Sequence, residues 1–143
     1  MTAPRLLIIA GAFYRDIADP MIKGARAAIE AAGAVSETVE VPGALEIPGT
    51  IVQAELAEAG FDGYVALGCV IRGETTHYDY VCGESARGLM DLTLEGLAVG
   101  NGILTVEDRV QAMARAVEKN KGASAAEAAL ALIALRQDFR SAR

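Results

Sequence analysis

The chain is 143 residues long, 52% hydrophobic and 22% charged, with a formal net charge of -6, a composition that builds one folded domain and excludes a disordered segment. An acidic chain repels polyanions, which sets nucleic-acid binding aside, and no apolar run reaches the length of a membrane span. The N-terminus carries no basic stretch followed by an apolar segment and cleavage site, and Cys69 and Cys82 lack metal-ligand spacing, so two reduced thiols in a cytoplasmic protein are expected.

In chain order, residues 6–10 are continuously apolar and predict a buried parallel strand. Gly11 to Arg15 form the loop at its carboxyl end. Asp19-Pro20 has the pattern of an N-cap and a first-turn proline, and Ile22, Ala25, Ile29 and Ala32 recur at helical spacing until Gly33. Residues 35–41 alternate, with Val35, Glu37, Val39 and Val41 on one side, and predict a second strand with a more exposed face. A loop through Pro42 and Glu46 leads to a helix carrying Ile47, Ile51, Ala54 and Leu56 that ends near Gly60. Residues 64–71 are a third strand, residues 76–98 a helix, and residues 102–106 a fourth strand. Residues 107–118 predict a helix with Val110, Met113, Ala114 and Val117 on one face. Residues 119–122 are a basic turn, and Ser124 to Glu127 have the form of a capping box opening a final helix to about Phe139. Strands alternate with helices throughout, which argues one α/β domain over residues 1–143, a four-stranded parallel sheet with helices on both faces. Ligands in such folds bind beyond the carboxyl ends of the strands, where the loops 11–15, 42–46 and 72–77 and the segment after Thr105 converge.

The stretch from Gly68 to Tyr80 carries the most chemistry. A buried strand runs into Gly73, then Thr75 and Thr76 offer helix caps, and the single histidine, His77, falls on the first helical turn. A helix N-terminus of this kind presents unpaired N–H groups and a positive dipole end to an anion. His77 is a proton carrier or a packed imidazole, with the balance about even. Thr75 and Thr76 serve as phosphate donors or as ordinary caps. Phe13 is a stacking platform for a planar ring or a plug under its loop, and position alone tilts to the plug. Glu46, taken alone, reads as a solvated loop acid before it reads as an acceptor for hydroxyl groups. Arg115 and Arg72 are phosphate clamps or surface charges, and Lys121 a ligand donor or a helix-end charge. A GxGxxG fingerprint after the first strand and a GxxxxGK[ST] loop are both missing, which disfavours dinucleotide and nucleoside-triphosphate chemistry.

Together these segments resemble the 6,7-dimethyl-8-ribityllumazine synthase family. The resemblance rests on Val41-Pro42-Gly43-Ala44-Leu45-Glu46-Ile47-Pro48, on Gly68 to Tyr80, and on Gly102-Ile103-Leu104-Thr105-Val106-Glu107, in the family's order over nearly the whole chain. It implies a flavodoxin-like, three-layer α/β/α fold. It also implies the condensation of 5-amino-6-(D-ribitylamino)uracil with 3,4-dihydroxy-2-butanone 4-phosphate, without metal or organic cofactor, in the penultimate step of riboflavin biosynthesis. Residue by residue, it makes Phe13 the ring-stacking aromatic and Ala44, Leu45 and Glu46 the loop around the ribityl chain. Cys69, Val70 and Ile71 become the strand end that reads the pyrimidine edge. Glu74, Thr75 and Thr76 become the phosphate-side turn, His77 the proton-transfer group, Arg115 the phosphate arginine, and Lys121 a lysine that reaches the pyrimidine. The family's sites lie between adjacent subunits of a homopentamer, so Asn101, Arg115 and Lys121 would act with Phe13, Glu46 and His77 of a neighbour.

Two departures from the family pattern stand out. Asn101 occupies a position where the family often has an aromatic; an amide hydrogen-bonds a ring but stacks less on it. The turn at Val117 to Asn120 is shorter than in members that build sixty-subunit shells, and few residues precede Leu6, so a free pentamer is favoured over a shell. The competing readings are a non-catalytic lumazine or flavin binder, supported only by Asn101, and a receiver-like signalling domain, which lacks its acidic pocket and phospho-acceptor aspartate.

Overall fold

The computed structural model describes residues 2–142. Four parallel strands, β1 (Arg5–Gly11), β2 (Val35–Val41), β3 (Gly63–Ile71) and β4 (Val99–Val106), form one sheet in the order β2-β1-β3-β4. The helices are α1 (Arg15–Ala31), α2 (Ile47–Leu56), α3 (His77–Leu94), the short α4 (Arg109–Met113) and α5 (Lys121–Ser141). This is the parallel sheet with helices on both faces expected from the alternation of elements, and the flavodoxin-like α/β/α fold that the family resemblance implies. The two central strands are apolar on both faces because helices cover both. Leu6 and Ile8 of β1 pack with Ile17, Ala25 and Ile29 of α1 and Ala129 of α5, while Leu7 and Ile9 turn to Ile47 and Ile51 of α2 and Leu89 of α3. Burying an aliphatic side chain of this size stabilises by about 1.5–3 kcal/mol each.

The strand order reverses direction between β1 and β3. β1 pairs with β2 on one side and with β3 on the other, and a crevice opens at such a point above the carboxyl ends.

Several boundaries differ from the expected ones. α1 begins at Arg15, and Pro20 lies inside it, not at its first position. The Tyr14 carbonyl accepts from Ile17 and Ala18 N–H and closes the first turn, and one tertiary partner holds the earlier start: the Arg15 guanidinium grips Glu40 of β2 with two bonds of 2.7 and 2.6 Å. α3 ends at Leu94, and Gly96 turns the chain at φ 96°, so β4 starts at Val99 and contains Asn101. The helix expected over residues 107–118 is α4 followed by a π-helical turn, Ala114–Glu118. Its inward residues are Ala112 and Ala116, whereas Val110 is 80% exposed, so the valine face points away from this chain's own core. α5 begins at Lys121, not at the Ser124 box: Asn120 takes φ 46° and starts the helix anew.

α5 can begin there because Gly122 has no side chain; a Cβ on it would fall 2.1 Å from the Met21 carbonyl oxygen of α1. Gly100 plays the same part in β4, where a Cβ would meet the Ala125 carbonyl oxygen at 1.8 Å. These two close approaches draw α5 onto α1 and β4, and set Lys121 beside the edge of the sheet.

Candidate active site

The crevice at the β1/β3 reversal is a cleft of about 540 Å³. Phe13 and Tyr14 enter it from the loop after β1, Ala44, Leu45 and Glu46 from a single 3₁₀ turn after β2, and Cys69, Val70 and Ile71 from the end of β3. His77 and Val81 close it from α3. Phe13 is 76% exposed and stands edge-on to Tyr14 at 4.8 Å. The plug expected from its position alone is therefore corrected: the ring is a free apolar face at the mouth of the cleft. The loop is tied to the end of β2, by the Ala12 N–H donating to the Val41 carbonyl at 3.1 Å and by the Arg15–Glu40 fork.

The turn from β3 to α3 is pinned at its base. The Arg72 N–H donates to the Val106 carbonyl, and its guanidinium bonds Glu107 at 2.8 Å, lies 3.7 Å from Asp79 and covers the Tyr78 ring at 4.3 Å. With those partners Arg72 is a brace for the turn, not a free anion ligand. None of the N–H groups of Gly73, Glu74, Thr75 and Thr76 donates to a protein oxygen among the described residues. All four residues are exposed. The Thr75 hydroxyl accepts from the His77 N–H at 3.3 Å. Thr76 holds the N-cap position in helical backbone geometry and makes no side-chain cap bond; two capping hydroxyls were expected, and only Thr75 caps. The result is a rim of free amide donors at the positive end of an 18-residue helix, next to an exposed imidazole.

Cys69 is half-buried, and burial pushes its thiol up to about 11, with the neighbouring Arg109 acting weakly the other way. A thiol held neutral at physiological pH is a poor nucleophile, so at this position the strand end contributes shape and backbone groups. Both cysteines are free. Below the cleft, Arg109 pairs with Asp16 and holds that carboxyl below its usual range, tying the start of α4 to α1.

Asn101, Arg115 and Lys121 lie elsewhere. They line a second concavity of about 330 Å³ along the open edge of β4, with Thr105 and Ser124. Arg115 sits in the π-helical turn, half-buried, and its guanidinium donates to the Gln111 carbonyl at 3.1 Å. Such turns widen the helix locally and often mark functional positions. Lys121 is exposed at the first turn of α5. No residue is shared between the two clefts. One chain thus gathers Phe13, Glu46 and His77 in one place and Asn101, Arg115 and Lys121 in another, and does not join them. Sequence reasoning passed over Tyr14, Val81, Thr105 and Ser124 as lining residues. Ser124 carried a signal, but as a helix cap, and the others are ordinary residues of a strand, loop or helix.

The arrangement can seat a planar ring against Phe13, accept hydroxyl groups at Glu46, and hold an oxyanion over the free amides beside an imidazole. A sequence model of the family described as 6,7-dimethyl-8-ribityllumazine synthase matches residues 3–137. A protein of that name from Novosphingobium aromaticivorans is 55% identical over 135 residues, covering 93% of this chain and 96% of its own. Another from Sphingopyxis alaskensis is 56% identical over 137 residues, covering 94% and 96%. A third, from Methylorubrum populi, is 57% identical over 146 residues, covering 96% and 85%. With a family match across nearly all its length and relatives of this identity, the chain belongs to the 6,7-dimethyl-8-ribityllumazine synthase family.

Proposed function

We propose that this protein condenses 5-amino-6-(D-ribitylamino)uracil with 3,4-dihydroxy-2-butanone 4-phosphate to 6,7-dimethyl-8-ribityllumazine, the penultimate step of riboflavin biosynthesis. The observation that carries the reading is the cleft at the β1/β3 reversal, with an apolar ring at its mouth and a donor-rich helix N-terminus beside His77, in a chain of this family. The 5-amino group attacks the ketone, and water leaves as the Schiff base forms. A proton then leaves C3, phosphate departs from C4, and the resulting enol takes up a proton to become a C3 ketone; attack of the ribityl-bearing nitrogen on that new carbonyl closes the ring with loss of another water. The pyrimidine lies on Phe13 against Ala44, Leu45 and the β3 end at Cys69, Val70 and Ile71, and Glu46 accepts from a ribityl hydroxyl. Glu74, Thr75 and Thr76 frame the phosphate with backbone amides, and His77 moves the protons that Schiff-base formation and elimination require. Every step is a proton or group transfer between the two substrates, so these residues suffice without a cofactor.

Arg115 clamps the phosphate, and Lys121 and Asn101 reach the pyrimidine, from the second cleft of a neighbouring subunit. A homopentamer with sites at its interfaces is the assembly we propose. The two separate clefts support it, as do apolar side chains left facing solvent on several elements: Leu56, Leu94, Val110 and Phe139 are each more than 70% exposed. Apolar side chains left uncovered in this way are available for burial against another chain. Residues 1–143 act as one domain. The two free thiols favour a reducing compartment, and the cytoplasm is our assignment; none of the described helices is long and apolar enough to cross a membrane. Mixing the two substrates with the protein and following lumazine fluorescence tests the activity, and no product above the spontaneous rate refutes it. Light scattering coupled to size exclusion tests the assembly, which a monomer would overturn.

A further inference from the structure

We infer that Glu107 is a positioning residue: by holding the Arg72 guanidinium it fixes the turn between β3 and α3, and so sets the alignment of the phosphate-facing amides with His77. The inference rests on the proposed function, and it gives a part in the site to a carboxylate that lines neither cleft. The turn has little structure of its own. The N–H groups of Gly73, Glu74, Thr75 and Thr76 donate to no protein oxygen among the described residues. Apart from its chain neighbours, no atom lies within 4 Å of where a Cβ on Gly73 would stand. Such a row of amides is preorganised for an anion only if the chain on each side of it is held.

Arg72 holds both sides. It directly precedes Gly73, and its backbone N–H donates to the Val106 carbonyl at 3.0 Å. Its side chain reaches across to the first turn of α3, where the guanidinium covers the Tyr78 ring at 4.3 Å and lies 3.7 Å from Asp79. Tyr78 directly follows His77, so the backbone of the imidazole is held with it. An arginine side chain has several free rotations, and these two contacts come from the segment it has to hold. Among the described residues Glu107 is the one guanidinium partner from elsewhere, accepting from Nε at 2.8 Å across 35 positions of sequence. Its own backbone is set: it follows the last residue of β4, and its N–H donates to the Gln111 side-chain oxygen at 2.8 Å. The two side chains are 44% and 58% exposed, and exposed pairs of this kind add little to global stability. The effect is geometric: a short charge-assisted bond fixes where the guanidinium stands.

The test sets Glu107→Asp, which keeps the charge and shortens the reach by a methylene, against Glu107→Gln, which keeps the reach and removes the charge. Both variants should melt within about 4 °C of the unsubstituted protein. Aspartate should lower kcat about threefold and raise KM for the butanone phosphate about threefold, because the amides and His77 lose register. The inhibition constant of inorganic phosphate should rise in parallel, while KM for the aminouracil stays within about twofold. Glutamine still accepts from Nε and should lose no more than about threefold in kcat/KM. In an Arg72→Met background, where no guanidinium is left to hold, Glu107→Asp should have no further effect. A glutamine variant as impaired as the aspartate one, tighter binding of inorganic phosphate by the aspartate variant, an equal rise in both KM values, or additive losses in the double variant overturns the assignment. If Arg72→Met does not fold, the comparison of aspartate with glutamine decides alone. No product from the unsubstituted protein would refute the functional reading; product formed with unaltered constants by the Glu107→Asp variant would refute only the role of Glu107.

Discussion

Gly122→Ala tests how helix packing positions the site. The added Cβ would lie 2.1 Å from the Met21 carbonyl oxygen, where ordinary contact begins at about 3.4 Å. That neighbour is backbone, which cannot rotate away, so α5 has to withdraw from α1 by roughly 1 Å. Overpacking of this kind costs about 3 kcal/mol, offset by about 1 kcal/mol because alanine is the better helix former. A net loss of about 2 kcal/mol in a domain of this size lowers Tm by roughly 6–8 °C. Lys121 is the adjacent residue, and a shift of roughly 1 Å in a substrate-positioning group costs about tenfold to a hundredfold in rate. Gly49→Ala is the control, since a Cβ there meets nothing within 4 Å; it should leave Tm level or raise it by roughly 1–3 °C. The assay is a thermal melt of the three proteins at one concentration, with turnover measured on the same samples. A Gly122→Ala protein that melts with the control and keeps full turnover would show that α5 tolerates the methyl group, and the account of its docking would be wrong.

His77→Ala should lower kcat by about a hundredfold or more, the range for losing a positioned proton carrier, with KM for both substrates little changed; unaltered turnover removes His77 from the mechanism. Arg115→Ala should raise KM for the butanone phosphate about tenfold or more while sparing that for the aminouracil, and equal effects on both would sink the phosphate clamp. Because burial pushes the Cys69 thiol up to about 11, its alkylation by iodoacetamide should be slow at pH 8 and accelerate only as pH approaches that value; rapid labelling of Cys69 at pH 7 contradicts this. Arg109 holds the Asp16 carboxyl below its unfolded value, so the pair's contribution is present above the ordinary aspartate range and disappears as pH falls through the lowered folded value. Asp16→Asn should therefore flatten the acid limb of a stability–pH curve and do little to its slope above neutrality, and an unchanged acid limb would deny the pairing any part in stability.

The chemistry of the site resides in chain segments that are local. The Gly68 to Tyr80 stretch joins an apolar run, a glycine break and a helix start within thirteen consecutive residues, so a strand, a turn and an N-terminus follow from propensity and periodicity. The same locality makes the alternation of strands and helices, and with it the parallel sheet, legible. Misreadings fall where distant contacts outweigh local preference. Asp19-Pro20 has the sequence of a helix start, yet α1 begins at Arg15 because Glu40, on another strand, holds it. The Ser124 box has the sequence of a cap, yet α5 begins at Lys121 because Gly122 fits against Met21.

Exposure was likewise beyond the sequence. Val110 and Val117 recur with helical period, and periodicity reports that a face is apolar without reporting which surface will cover it. In this chain the alanines of the same segment fill the core. By itself, then, the order of residues determined the elements, the parallel sheet and the turn between β3 and α3, since these depend on neighbours a few positions away. Only the folded arrangement decided that Phe13 stands free, that Arg72 is a brace, and that Arg115 and His77 fall in different clefts. Those outcomes depend on which backbone and side-chain groups meet across tens of residues, and no local pattern encodes such a meeting.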